Sequence, residues 1–129
     1  MINRFNFDNY RIMERALSVP WHPKLIELNL CFVTRYSYVV VVTSAYRPKK
    51  IHVNDSGIHG TIPLRADDLS SVEFDDPEGI RDDMNSLWIY DPERPQLKVC
   101  VYHDVGFGPH FHLQVHDNTR RREEYNGKI

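Results

Sequence analysis

Near its C-terminal end the chain alternates without a break: His110-Phe111-His112-Leu113-Gln114-Val115-His116. Successive side chains on a strand point to opposite faces. Read as a strand, this segment presents Phe111, Leu113 and Val115 to one side and His110, His112, Gln114 and His116 to the other. The sheet that holds it therefore needs an apolar face packed inward or against a helix, and a second face lined by imidazoles. Three histidines at period two, in a chain of 129 residues with seven histidines in all, direct that second face toward metal or acid–base chemistry.

The rest of the chain supplies the layers such a sheet requires. Val39-Val40-Val41-Val42-Thr43 puts β-branched residues on consecutive positions, which predicts a strand over 38–45 buried on both faces. A short helix is expected over 7–18, with Asp8 near its start, Ile12, Met13, Ala16 and Leu17 as apolar positions, and Pro20 ending it. A second helix starts around His22-Pro23 and runs to about Arg35 on the spacing of Leu25, Leu28 and Phe32. A polar loop over 47–63 leads to a short strand over 65–69. A third helix runs from Asp75 to about Tyr90, capped by Asp75 or Asp76, with Pro77 in its first turn and Ile80, Met84, Leu87 and Trp88 facing inward. Strands follow over 97–103 and 111–115, and a polar, frayed tail over 118–129. This order reads as α+β, a small antiparallel sheet flanked by helices in a single domain.

Composition removes several function classes. Lys plus Arg is 16 against 18 Asp plus Glu, a formal net charge of −2, which fits neither a nucleic-acid-coating chain nor an acidic disordered one. The Arg120-Arg121-Arg122 run precedes Glu123 and Glu124 and reads as a solvated terminus. Cys31 and Cys100 sit in apolar stretches and read as buried, reduced thiols; no CxxC pair exists for a cysteine-based metal site. The first residues lack an apolar segment of signal-peptide length, and the longest apolar run is far too short to cross a bilayer. A soluble protein is expected, with no membrane insertion.

One strand cannot complete a metal site, because catalytic zinc takes three protein ligands and keeps a position for water. The loop offers His59 and, just after it, Asp67-Asp68. Thr43-Ser44-Ala45-Tyr46-Arg47-Pro48 adds an arginine just past a strand end, where its guanidinium can hold a carboxylate or carbonyl.

These pieces resemble, in order, the M15 family of zinc peptidases. That family includes D-Ala-D-Ala carboxypeptidases and phage L-alanyl-D-glutamate endopeptidases, with the Hedgehog/DD-peptidase fold. The matching residues are Ser44-Ala45-Tyr46-Arg47-Pro48, then Ser56 through His59, then Arg65-Ala66-Asp67-Asp68-Leu69, then His110-Phe111-His112. Together they span residues 43–115 and look most like the small phage-type members. The resemblance implies one zinc ion held by His59, Asp68 and His112, with Asp68 preferred to Asp67 by its place after Arg65-Ala66. It implies that His110 stabilises the oxyanion, and that Arg47 and Ser56 meet the substrate. The implied substrate is a peptidoglycan peptide with a D-amino acid near the scissile bond. The implied setting is synthesis in a host cytoplasm and action on the wall after release or as part of a virion.

Two features depart from the family. The nine-residue step from His59 to Asp68 is longer than usual. Many members also carry a general base three to six residues before the His-x-His pair. Here residues 105–109 hold no titratable side chain, which leaves His103 and Asp104 as the candidates for taking a proton from the attacking water. Two other readings follow: the same fold as a catalytically degenerate, zinc-bearing or virion-associated module, and, remotely, a His-hydrophobe-His nuclease with Tyr125 as nucleophile.

Overall fold

The alternating segment is a strand, and it lies between two others. The computed structural model describes residues 5–36, 40–49, 56–72, 74–104 and 108–122. In chain order its elements are β1 (Phe5–Phe7), α1 (Tyr10–Leu17), α2 (Pro23–Tyr36), β2 (Val40–Ser44), β3 (Ala66–Ser70), α3 (Pro77–Leu87), β4 (Trp88–Ile89), β5 (Cys100–His103), β6 (His110–Gln114) and β7 (Arg120–Arg121). One 3-10 turn, Ile58–Gly60, lies between β2 and β3. The fold is α+β, with a five-stranded sheet in the order β1-β2-β3-β6-β5 and a separate β4-β7 pair.

An antiparallel sheet is expected, but the large sheet is mixed, because β1 pairs with β2 in parallel. Residue 7, expected in the first helix, belongs to that edge strand. The helix begins three residues later, where the Asn9 side chain accepts a hydrogen bond from the Ile12 N–H at 3.0 Å. The third helix starts as its sequence suggests: Asp76 accepts from the Gly79 N–H at 3.0 Å, with Pro77 in the first turn. It stops at Leu87 rather than Tyr90, because Trp88–Ile89 pairs with Arg120–Arg121.

That pairing also changes the tail. Thr119 is fully buried and its hydroxyl donates to the Tyr90 carbonyl at 2.7 Å. Arg121 lies over the Trp88 ring at 5.3 Å, and Arg122 donates to the Asn85 carbonyl. The start of the expected frayed, solvated segment is therefore held against the body by a strand pair and a cation–π contact. Residues 123–129, Tyr125 among them, lie outside the described residues.

The core forms on the apolar face of the alternating strand. Phe111 and Leu113 of β6 are fully buried, opposite Leu69 and Asp67 of β3. Helix α2 covers this face. Phe32 meets Phe111 at 5.4 Å and Phe74 at 5.7 Å between ring centres, all three pairs of these rings edge-to-face. Cys100 is buried among the same groups, and burial pushes its thiol up to about 12; Cys31 is only half-buried, at variance with the expectation.

Asp67 shares this apolar side. It is fully buried, and its Oδ1 accepts from the Asn29 amide of α2 at 2.9 Å. Burial, with the nearby Asp68 charge assisting, outweighs the Asn29 hydrogen bond and pushes this carboxyl up to about 7. Asp67 Oδ2 and Asn29 Oδ1 have no hydrogen-bond partner. A carboxyl whose folded-state pKa is raised holds its proton more tightly folded than unfolded, so it costs stability as pH rises from about 4 to 7. Asp67→Asn removes that cost and supplies a donor for the Asn29 oxygen. The variant is expected to match the parent near pH 4 and to become progressively more stable than it up to about pH 7, as read by urea unfolding across that range.

Candidate metal centre

On the opposite face of the sheet, register brings the polar residues together. Asp68 of β3 lies directly across from His112 of β6, and Ser70 from His110. His110 in turn lies across from His103 of β5. On the other side of β3, Asp68 pairs with Ser44, just after a register shift in β2 between Val42 and Ser44. Such a shift re-aims the strand end beside a site. Here the Ala45 carbonyl beyond it accepts a hydrogen bond from His59 Nδ1 at 2.7 Å.

His59 arrives from the 3-10 turn, and local chemistry fixes that turn. Gly57 opens it at φ 83°, in the left-handed region that glycine adopts without a steric penalty. The Ser56 hydroxyl accepts from the Ile58 N–H at 3.3 Å, and the Arg47 N–H donates to the His59 carbonyl at 2.7 Å. A side chain at Gly60 would put a Cβ 3.0 Å from the Arg47 carbonyl, so at this position the turn lies against the chain just past β2 backbone to backbone.

The result is one carboxylate ringed by imidazoles. Asp68 Oδ1 lies 2.9 Å from His112 Nδ1 and 3.2 Å from His59 Nε2, and Asp68 Oδ2 lies 3.7 Å from His110 Nε2. His103 stacks edge-on against His110 at 4.7 Å and lies 5.6 Å from the His112 ring. His59, Asp68 and His112 are all buried. One ligand atom from each of these three can be chosen so that all lie within 4.8 Å of one another, a group able to hold a metal ion. Tetrahedral zinc with bonds of about 2.0–2.1 Å spaces its ligand atoms about 3.3 Å apart. The Asp68 separations from His59 and His112 are close to that, so the residues present fit a small divalent ion.

The electrostatics agree. Burial alone would raise the Asp68 pKa, but hydrogen bonds and charge from His112 and His59 outweigh it and hold the carboxylate well below its ordinary range. For His112, burial opposes the charged form, yet the Asp68 hydrogen bond and charge win and push it up. His103 is pushed down, first by burial and then by the neighbouring imidazoles His110 and His112.

The other expected site residues are placed as follows. Arg47 is half-buried beside the His59 turn. Ser56 is exposed, with its hydroxyl engaged in the turn. Asp104 is exposed, and its carboxylate accepts from the Gly108 N–H at 3.0 Å. Thus His103, of the two proton-acceptor candidates, stands beside the cluster. His116 lies beyond it, against Tyr90 at 6.0 Å, and His22 is bound to Asp117 at the start of α2. His52 and residues 105–107 lie outside the described residues. Sequence patterns alone point to no role for Arg65, which donates to the Val115 carbonyl and the Tyr90 hydroxyl and so ties β3 to the end of β6. Its place in a motif next to the ligands is the one signal that could have found it.

No protein-family model matches the chain, and neither curated proteins nor solved structures give a significant match.

In metal-free protein, His112 is expected to release its proton at higher pH than His103. Asp68→Asn should lower His112 sharply and His103 only slightly. An NMR titration of the ring protons checks both.

Proposed function

We propose that this chain is a zinc-dependent peptidase of the M15 type, with the Hedgehog/DD-peptidase fold, that cleaves peptidoglycan peptides at bonds next to D-amino acids. One observation carries the reading. The residues that the resemblance singles out as ligands, His59, Asp68 and His112, come from three separate segments and bring one donor atom each within 4.8 Å of one another. A phage-type wall-lysis enzyme, acting after release or from a virion, fits the same motifs.

His59, Asp68 and His112 would hold the ion, which when bound supplies Lewis-acid activation of water and of the scissile carbonyl. His103 is the group for moving a proton. It is half-buried next to the ligands, and its lowered pKa keeps it neutral and able to accept at neutral pH. His110 turns Nε2 toward Asp68 at the edge of the cluster, and in its protonated form that nitrogen can donate a hydrogen bond to a developing oxyanion. Arg47, beside the His59 turn, would attract the carboxylates that such peptides carry.

The second reading keeps the ion and drops turnover: a zinc-bearing binding or virion-associated module. It is favoured by Asp104, whose carboxylate accepts from the Gly108 N–H, so that of the two candidates from the sequence only His103 stands beside the cluster.

Purified protein is expected to carry one zinc per chain, and His59→Ala to carry none while keeping its fold. Incubated with peptidoglycan, the loaded protein should release new amino termini, and His103→Ala should lower that rate about 10²–10⁴-fold. Zinc without release supports the module. Equal zinc in the parent and His59→Ala removes the site.

A further inference from the structure

We propose that Gln114 is a positioning residue for His112, setting which ring nitrogen is presented to the ion. This rests on reading the cluster as a metal centre. Gln114 lies two residues beyond His112 on β6 and so shares its face. The Gln114 amide nitrogen donates to the Lys98 carbonyl at 2.7 Å. That contact fixes the orientation of the amide, because a carbonyl only accepts. The Gln114 oxygen is thereby turned to His112 Nε2, at 3.0 Å. An amide oxygen has no proton to give, so Nε2 carries the hydrogen and donates it. The other nitrogen, Nδ1, is then the atom that faces Asp68 at 2.9 Å and exchanges a proton for a cation.

The other two imidazoles near Asp68 are set by the same logic but with the opposite atom. His59 Nδ1 donates to the Ala45 carbonyl at 2.7 Å, and His110 Nδ1 to the Gly108 carbonyl at 3.1 Å. Both therefore turn Nε2 inward. The centre combines an Nε2 ligand from the turn with an Nδ1 ligand from the strand. His112 alone among the three is oriented by a side chain, so its orientation can be tested by substitution. An acceptor on the outer ring nitrogen of a metal-bound histidine fixes its tautomer and raises its basicity, and losing one typically weakens binding about 10–100-fold.

The test uses the full chain. Zinc affinity is measured by competition with a chromophoric chelator for the parent, Gln114→Leu and Gln114→Glu. Nitrogen-15 NMR of the His112 ring is recorded on metal-free and zinc-loaded parent. Gln114→Leu should bind zinc about 10–100-fold more weakly and lose the hydrogen-bonded Nε2 proton signal. Gln114→Glu, whose oxygen accepts the same proton but which cannot donate to the Lys98 carbonyl, should bind zinc more tightly than Gln114→Leu and recover part of the affinity. In loaded parent, zinc should sit on His112 Nδ1, with the Nε2 proton retained. Undiminished affinity in Gln114→Leu, or zinc on His112 Nε2, overturns the proposal. If the parent binds no zinc, the metal reading fails by itself, and the metal-free spectrum still tests Gln114: a bonded Nε2 proton supports the positioning role and its absence overturns it. Should Gln114→Leu not fold, the parent spectra and the affinity of Gln114→Glu support or overturn the proposal in its place.

Discussion

Asp68 lies where β2, β3 and β6 meet, and its two oxygens are shared among three imidazoles. The pairing of β3 with β6 puts it there. A slip of one residue would exchange the faces of both carboxylates in the Asp67-Asp68 doublet, because side chains alternate with period two. Asp67 would then meet the imidazoles and Asp68 the underside of α2. Several contacts oppose that slip at once. Phe111 is locked into the aromatic group with Phe32 and Phe74, Asn29 holds Asp67, and Arg65 fixes the far end of the two strands. The polar site therefore takes its geometry from apolar packing on the other side of the sheet.

The charge balance of the site follows from crowding. Four imidazoles stand near one carboxylate, and they cannot all be protonated without strong mutual repulsion. The network divides them. His112 keeps its proton against burial because Asp68 is in direct contact, while His103, further from the carboxylate and close to two other rings, loses its own more easily. A bound divalent cation would take over the part that the His112 proton plays beside Asp68. It would leave His103 neutral and free to act as a base.

Much of this was legible in the chain. The alternation over 110–116 carries the β6 faces, and the helical spacing of Leu25, Leu28 and Phe32 carries α2, because local periodicity reports directly on burial. Asp76 and Pro77 mark the start of α3 through local capping chemistry. The trio His59, Asp68 and His112 was readable as motifs, with Asp68 told from Asp67 only by its place in the motif, not by any periodicity. What escaped depends on partners distant in sequence. Phe5–Phe7 becomes a strand through its parallel pairing with β2, and Trp88–Ile89 through pairing with Arg120–Arg121. Segments of two or three residues carry no usable period. The burial of Asp67 against Asn29 spans 38 positions and runs against the rule that carboxylates stay in water.

The separation of the ligands has a consequence for how this protein comes to exist. His112 and Asp68 are 44 positions apart, and they meet only after β6 has added to β3. Closing so long a loop carries an entropy cost that apolar packing must meet first. An ion would therefore find at most the His59 and Asp68 pair, nine positions apart, on the nascent chain, and not the full set of ligands until β6 is in place. Bound to all three, it would report on a finished structure. Bound to the native form and not to the unfolded one, it would slow the opening of the sheet and lengthen the lifetime of the folded chain, acting as a latch on a completed fold rather than as its seed.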